Sequence, residues 1–451
     1  MSQQSGKLHR ELGILDVTAI TAGIVIGAGV FIVTGIAAGF AGSLTWVAYA
    51  IGIVPVVLTG ISTIFLNLMY PVEGGESYVY PTRIVSKPLG FLSGWGMWLA
   101  IIGPIAITAQ AFISYVNALP GLNTALPVMI GAVVVTLLFG AINWTGIKTV
   151  KIVQNVLFLF MVAGIVVYIV LALPHMKGEN IAAGSPGGFA GVMKAASLLL
   201  FSYAGLTLAA DLGEEAKDPA KTITWGVILG ALVPAVLYVA SAFVSTAVMP
   251  WQEFAASDAP YAAVASTFMG PFGVIFIVLV AWAAILSSHN GEQAVAARIF
   301  FGLSRDRILG GKAASINSAG TPAFGLIATV ILSIILITTG TIQLVAETIV
   351  AMFLYNWIIT HVGVLMARRK YADLVDKLPG FYSKKAFLAV PVVGLAVSLY
   401  LLYLQGWKAL AYAAVWMAVG LVVYYIGLSR DKENITTRMD DWPSEDYAEN
   451  E

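Results

Sequence analysis

The sequence predicts an all-α polytopic membrane protein with 12 transmembrane helices, and three observations lead there. Apolar residues make up 59% of the 451-residue chain and charged ones only 11%, with a mean hydropathy of +0.88. A soluble chain of this length would carry about 25% charged residues. Twelve apolar runs recur along the chain, each near the roughly 20 residues that a helix needs to cross a bilayer. Lys and Arg are confined to alternate loops, the pattern that sets membrane orientation.

In order, the runs are 14–39, 43–69, 89–117, 127–143, 150–173, 190–215, 221–249, 271–303, 323–339, 341–367, 386–404 and 409–427. Of the 24 Lys and Arg residues, 21 fall in the even-numbered loops and the two tails; only Lys177, Lys194 and Lys408 lie opposite. That bias predicts a multi-pass protein of the plasma membrane with both termini cytoplasmic. The N-terminus shows no short apolar region with a cleavage site, so no signal peptide is expected. Segment 1–13 reads as cytoplasmic, 14–173 and 190–367 as two five-span units, 386–427 as a final pair of spans, and 428–451 as an acidic cytoplasmic tail. The tail carries Asp440, Asp441, Glu445, Asp446, Glu449 and Glu451 and has the composition of a disordered, solvated end. Between spans 7 and 8, residues 251–269 mix polar and Ala-rich stretches and predict a short helix on the outer surface.

Zero formal net charge gives no reason to expect a nucleic acid partner, and the lipid bilayer is the surrounding partner. With no cysteine there is no disulfide, thiol catalysis or zinc–thiolate site. His9, His175, His289 and His361 are too scattered for a helical two-histidine metal site.

Span 1 contains Gly23, Gly27 and Gly29 within Thr21–Phe31, where a continuous helix should be strongest. A helix-interior glycine costs about 1 kcal/mol against alanine. In lipid, a broken helix must also find new partners for its freed backbone groups. One such glycine pair is explained by close helix packing. A second break, Ala204–Gly205 in span 6 with Ser202, Tyr203 and Thr207 around it, changes the reading. Spans 1 and 6 open two units of five spans, and five is odd, so the units run in opposite directions. Interrupted helices at corresponding positions of inverted halves mark a transporter binding site. Free N–H groups at Gly27, Ala28 and Gly29 suit a carboxylate. Free carbonyls of Ile24 and Val25 in span 1, and of Phe201, Ser202 and Ala204 in span 6, suit an ammonium. An α-amino acid carries both charges on one carbon, so one polar patch, with Gly205 and Thr207 beside it, holds both ends.

At these residues the sequence resembles the amino acid–polyamine–organocation (APC) superfamily. Gly23, Ile26, Gly27, Ala28, Gly29 and Phe31 match its G-x-x-I-G-[AS]-G-x-F pattern. Pro71, Gly74, Gly75, Tyr78 and Tyr80 are similar to its loop after span 2, with one extra residue before the first tyrosine. Phe201, Gly205, Glu214, Glu215, Lys217, Asp218 and Pro219 resemble its span 6 signature; Ser304 to Leu309 with Gly320, Thr321 and Pro322 resemble its loop between spans 8 and 9. The resemblance implies the LeuT-type 5+5 inverted repeat with discontinuous helices 1 and 6. It implies carboxylate binding by Gly27, Ala28 and Gly29, amine binding by carbonyls of Val25, Phe201 and Ala204, and closure of Phe201 over the substrate; read blandly, Phe201 is a lipid-facing or core aromatic.

Two departures from the family pattern matter. Many members have an acidic residue or Asn where this chain has Thr207, which argues for a small neutral amino acid over arginine, lysine or a polyamine. Proton-coupled and exchanging relatives carry a lysine seven residues after the glutamine of K-x-x-Q-N; counting from Lys151, Gln154 and Asn155, that position is Met161. By resemblance to sodium-coupled relatives, the carbonyls of Gly23, Ile26 and Ala284 with the hydroxyls of Ser287 and Ser288 would bind a sodium ion as coupling ion. An all-oxygen set suits a hard cation. The competing reading has the two serines bonded to their own helix.

Ionisable residues inside predicted spans are functional candidates because each costs at least about 2.5 kcal/mol at mid-membrane. They are Asp211, His289, Glu292, Glu347 and His361. Asp211 and Glu292 are candidates for proton coupling. Against this, Asp211, Glu214 and Glu215 read as structural groups at the cytoplasmic interface, and Glu292 as a partner for basic groups such as Arg298. The expectation is a secondary active transporter of a small neutral amino acid, cation-coupled, with sodium favoured. The alternatives are a proton symporter, exchanger or amine transporter of the same fold. From other classes, a channel lacks repeated pore-lining polar residues, and an embedded enzyme lacks a catalytic cluster beyond His289 and Glu292. A non-transporting sensor would bind ligand without accumulating it.

Overall fold

The computed structural model describes residues 10–27, 29–70, 75–117, 119, 127–203, 205–257, 259–339 and 342–440. Among them, ten stretches are helical, long and apolar enough to cross a membrane. Two further apolar helices of 17 residues correspond to spans 4 and 9. No strand occurs among the described residues.

Span 1 divides into α1 (Ile14–Ile26), a π turn at Gly29–Val33 and α2 (Thr34–Ala41). Then come α3 (Thr45–Met69), two π turns over 75–85, α4 (Lys87–Asn117), α5 (Val128–Trp144), α6 (Ile147–Ala172) and the short α7 (Gly178–Ala182). Span 6 is α8 (Gly188–Tyr203), followed by 3-10 turns at Leu206–Asp211 and Gly213–Glu215. Next are α9 (Pro219–Val248), the short α10 (Trp251–Ala256) and α11 (Pro260–Arg305), broken at Gly270 where φ is +61°. The helix expected over 251–269 is therefore α10 plus the first turns of α11, with Phe254, Tyr261, Val264 and Ala265 buried, and the rest of α11 begins after that break. The chain closes with α12 (Ala323–Thr339), α13 (Ile342–Lys370), α14 (Ala372–Val375), α15 (Ala389–Tyr403), α16 (Trp407–Arg430) and α17 (Lys432–Asp440).

Burial sorts the helices into an inner and an outer set. Every residue of α1 from Val17 to Ile26 is buried, against α9, α11 and α6. By contrast α5, α6, α12 and α16 present large apolar side chains outward, such as Ile130, Val156, Ile331 and Val415. Apolar faces of this kind suit lipid contact.

One expectation fails over part of its range. The tail was expected to be disordered, yet α17 folds back onto the π turn at 81–85 and the start of α4. Ile435 and Met439, four residues apart on one helical face, are buried there. The Arg438 carbonyl accepts a hydrogen bond from Arg83, and Asp440 pairs with Lys87 at 2.6 Å. Composition missed a two-residue apolar stripe. Asp441, Glu445, Asp446, Glu449 and Glu451 lie outside the described residues, as do Pro71 and Gly74 of the second motif.

Candidate functional site

α1 stops at Ile26 because Gly27 leaves the helical region, with φ −41° and ψ −146°. A helix that ends there leaves its last carbonyls without intrahelical donors. Two hydroxyls from other helices approach them. Ser288 Oγ on α11 lies 3.0 Å from the Ile24 carbonyl oxygen, and the Tyr238 hydroxyl on α9 lies 2.5 Å from that of Val25. The same tyrosine hydroxyl is 3.1 Å from the Ser202 carbonyl oxygen near the end of α8. One residue thus ties the two broken helices together.

Gly205 holds a left-handed backbone, φ +103°, and a Cβ there would lie 2.7 Å from Ile24 Cγ2. The second break is therefore packed on the first. Glycine also makes room at the first: a Cβ on Gly27 would lie 2.4 Å from Ser288 Oγ, and one on Gly29 would lie 2.8 Å from Ser202 Oγ.

Around these ends lies a cavity with about 420 Å³ of atom-free space, part of it open to solvent. Its polar side is made by Ile24, Val25, Gly27 and Gly29 of the first break, Ser202 of α8, and Ser288 and Glu292 of α11. Its apolar side is made by Phe201, by Ile101, Pro104 and Ile107 of α4, and by Phe353 of α13; Thr108 of α4 adds a hydroxyl. Six of the ten residues expected around a substrate line this one cavity: Ile24, Val25, Gly27, Gly29, Phe201 and Ser202. Gly205 and Thr207 do not line it, and Ala28 and Ala204 lie outside the described residues.

The candidate cation ligands are arranged differently. Ser287 Oγ accepts from Gln154 Nε2 of α6 at 2.8 Å, and the same amide nitrogen donates to the Ala19 carbonyl at 3.0 Å. Gln154 is oriented by a chain of amides: Asn143 donates to Asn290 Oδ1, and Asn290 donates to Gln154 Oε1 at 3.0 Å. A Cβ on Gly23 would meet both Gln154 Nε2 and Ser287 Oγ, at 2.1 and 2.3 Å. Ser287 and Ser288 therefore serve separate networks, the first toward α6 and the second toward Ile24 and Glu292.

The buried ionisable groups fall into two kinds. Arg298 is bound by both oxygens of Glu215, Arg83 by both oxygens of Asp306, and Asp211 accepts from the backbone and hydroxyl of Ser77. His289 lies 3.1 Å from both Thr108 Oγ1 and Gln293 Nε2, and His361 lies between Thr59 and Ser62 of α3. These groups are bound into the packing. Glu292 is the exception: Arg298 does not pair with it, Oε1 lies 2.8 Å from Ser288 Oγ, and Oε2 has no hydrogen-bond partner among the described residues. The side chains of Glu214 and Glu347 lie outside the description. Outside the membrane, Glu11 is held 3.0 Å from Lys148, and that hydrogen bond pulls its carboxyl below the usual range.

Sequence reasoning missed Tyr238 and Gln154 as parts of the site and left Glu292 undecided. Tyr238 and Glu292 are polar residues well inside predicted spans and Gln154 stands in the first turns of one, which was the available signal.

Similarity to known proteins agrees with this architecture. The profile of the family described as amino acid permease matches residues 16–429. The chain is 27% identical to a branched-chain amino acid permease, BcaP, of Bacillus subtilis (strain 168), covering 93% of each chain. It is 28% identical to a methylthioribose transporter of the same organism, covering 94% of each. A branched-chain amino acid permease of Lactococcus lactis is 22% identical, over 93% of this chain and 94% of the relative. These proteins are transporters and not enzymes, and the profile covers nearly all of the sequence: the chain is a multi-pass membrane protein that belongs to the amino acid permease family.

Proposed function

We propose that the chain is a secondary active transporter of a small neutral amino acid, working by alternating access. In this reading it has twelve spans in the LeuT-type five-plus-five arrangement, units 14–173 and 190–367, with both termini cytoplasmic. The observation that carries it is one cavity lined by the first break, the end of α8 and an apolar wall. The Gly27–Gly29 backbone would take the carboxylate, with Ala28 between them. The ammonium would go to the carbonyl side, formed by Ile24, Val25, Phe201 and Ser202, with Ala204 beyond. The side chain would face Ile101, Ile107 and Phe353, with Phe201 closing over it. That wall suits an aliphatic substrate, in keeping with the substrates named for two of the relatives.

The coupling reading we favour is proton-linked transport or exchange. A sodium ion held by Gly23, Ile26, Ala284, Ser287 and Ser288 would need oxygens converging on one point. The Gln154 amide N–H lies at the surface of Gly23, next to Ser287, and puts a donor there. A second substrate reading, an amine without a carboxylate, is favoured by one observation: an acidic residue, Glu292, lines the cavity although Thr207 leaves its own position in span 6 neutral.

The test is uptake of labelled neutral amino acids into proteoliposomes under an inward sodium gradient, a proton gradient, or neither. The expected result is transport of aliphatic amino acids that ignores sodium and is competed poorly by amines such as isoamylamine. Accumulation that requires sodium and is lost in Ser287→Ala/Ser288→Ala would restore the oxygen-ligand site. Absence of uptake and counterflow for every amino acid would overturn the substrate reading.

A further inference from the structure

We propose that Glu76, outside the central cavity, carries the proton that drives transport, binding it from one side of the membrane and releasing it to the other. The proposal rests on the proton-linked reading given above and names the group that serves it.

Glu76 stands in the π turn Gly75–Val79, and its side chain is fully buried. Such turns are rare and recur at functional sites. Oε2 meets the Thr63 hydroxyl of α3, and Oε1 lies 3.0 Å from the Thr360 hydroxyl of α13. The Thr207 hydroxyl, buried and without a hydrogen-bond partner, faces the same carboxyl from the turn after the second break. That turn brings a second fully buried carboxyl, Asp211, which accepts from the Ser77 backbone at 3.0 Å and from the Ser77 hydroxyl. The charge of Asp211 therefore acts on Glu76, the residue next to Ser77.

The partners decide which acid exchanges a proton. Among the described residues neither carboxyl meets a cation, and the buried guanidiniums of Arg83 and Arg298 are taken by Asp306 and Glu215. Two like charges withdrawn from water without a cation are costly, so the pair favours holding a proton. A backbone N–H can only donate, which matches Asp211 to its ionised form. Glu76 meets hydroxyls alone, and a hydroxyl can donate to a carboxylate or accept from an acid. It can gain or lose a proton with its hydrogen bonds kept.

The position of Glu76 supplies the coupling. It joins α3, α13 and the Leu206–Asp211 turn, which follows the cavity-lining Phe201 and Ser202 closely in the chain. A shift of that turn as the cavity opens changes the hydroxyls and the charge around Glu76, and with them its affinity for a proton. By linkage, the proton biases the same shift. The balance is one H+ joining Glu76–COO− to give Glu76–COOH on the entry side, and the reverse on the exit side.

Other ionisable groups on the elements packed against this turn are engaged elsewhere. On α13, His361 lies between Thr59 and Ser62, Arg368 donates to the carbonyls of Tyr382 and Ser383, and Lys370 donates to that of Arg83. Tyr78 donates to Asp306, Lys87 of α4 pairs with Asp440, and Tyr355 donates to the Leu89 carbonyl. On α11, His289 is bonded to Thr108 and Gln293, Glu292 to Ser288, and Arg305 stacks on Phe301. Arg369 is exposed, and α3 carries no charged residue.

The experiment uses the full chain in sodium-free proteoliposomes with L-leucine as probe, reading counterflow, accumulation under an inward proton gradient, and proton uptake. The unmodified chain should accumulate leucine and take up protons with it; if it does neither, the proton-linked reading itself falls and this proposal with it. Glu76→Gln stands in for the neutral acid, so gradient-driven accumulation should drop to equilibration and proton uptake should vanish. Counterflow, which moves no net proton, should fall far less, and Glu76→Asp should restore accumulation. A second reading covers a Glu76→Gln chain that does not fold. In the unmodified chain, gradient-driven uptake should fall by up to about tenfold per pH unit once Glu76 loses its proton. Asp211→Asn removes the neighbouring charge, lets Glu76 release its proton more readily, and should move that fall to lower pH. Undiminished gradient-driven accumulation in Glu76→Gln, uptake that does not fall at alkaline pH in the unmodified chain, or a fall that Asp211→Asn leaves in place or moves to higher pH would each overturn the proposal.

Discussion

The two helix breaks look alike in the sequence and differ in chemistry. At the first, Gly27 and Gly29 line the cavity, and the groups around them are hydroxyls and one carboxyl with an unpartnered oxygen. At the second, Gly205 is packed on Ile24 and does not line the cavity. The chain after it is pinned: Asp211 is held by Ser77, Glu215 by Arg298, and the Glu215 carbonyl accepts from the backbones of Glu11 and Leu12 at 2.9 and 3.0 Å. One interruption faces the cavity, while the other leads into a segment held by its neighbours through Asp211 and Glu215. Irregular backbone at membrane depth therefore shows where freed groups must be satisfied, but its neighbours decide what satisfies them.

The largest test of that contrast removes the anchor. Arg298→Leu leaves the fully buried Glu215 carboxylate unpaired, a change that typically costs about 3–5 kcal/mol. Thermal unfolding in detergent should show it, and adding Glu215→Gln should recover much of the loss. A small loss, or no recovery in the double variant, would mean that the pair does not hold the second segment. The corresponding change at the first break is Gly27→Ala, which drives a Cβ to 2.4 Å from Ser288 Oγ and 2.6 Å from its Cβ. Overpacking of this kind costs about 1–3 kcal/mol, so leucine binding should weaken about tenfold or more. Ser288→Gly in the same chain should relieve the clash; if it does not, the glycine is needed for its backbone and not for space.

Much of this was legible in the sequence. The long apolar helices were, because a helix needs enough apolar residues to cross a bilayer, and the breaks were, because glycine and small polar residues interrupt otherwise apolar runs. What was hidden is the facing of each helix. An inner span such as α1 is apolar all round, so no stripe tells which side meets a partner. Tyr238 stood out only as a polar residue in an apolar run and Gln154 only as the anchor for counting to Met161, and nothing in their spacing tied them to Val25 or Ser287. His361 was unexplained for the same reason: its partners, Thr59 and Ser62, are about 300 residues away in sequence. Thr207 speaks only for its own position: the acidic group that lines the cavity comes from α11 and not from span 6.

Two smaller perturbations sharpen the comparison. Gly205→Ala must hold a β-carbon at φ +103° and push it against Ile24, so stability should fall by about 1–2 kcal/mol. Any loss of binding should come through Ile24. Tyr238→Phe touches both breaks at once. Its hydroxyl has one proton for two carbonyls, Val25 at 2.5 Å and Ser202 at 3.1 Å, so deleting it removes one hydrogen bond, about 0.5–1.5 kcal/mol. A carbonyl has two lone pairs and can accept from the tyrosine and an ammonium together. The tyrosine therefore positions the Val25 carbonyl without blocking it, and Tyr238→Phe should weaken leucine binding only a few-fold, in line with its modest loss of stability. Tighter binding in the variant would instead mean that the hydroxyl competes with the ammonium, and would make the tyrosine part of the ligand site at both breaks.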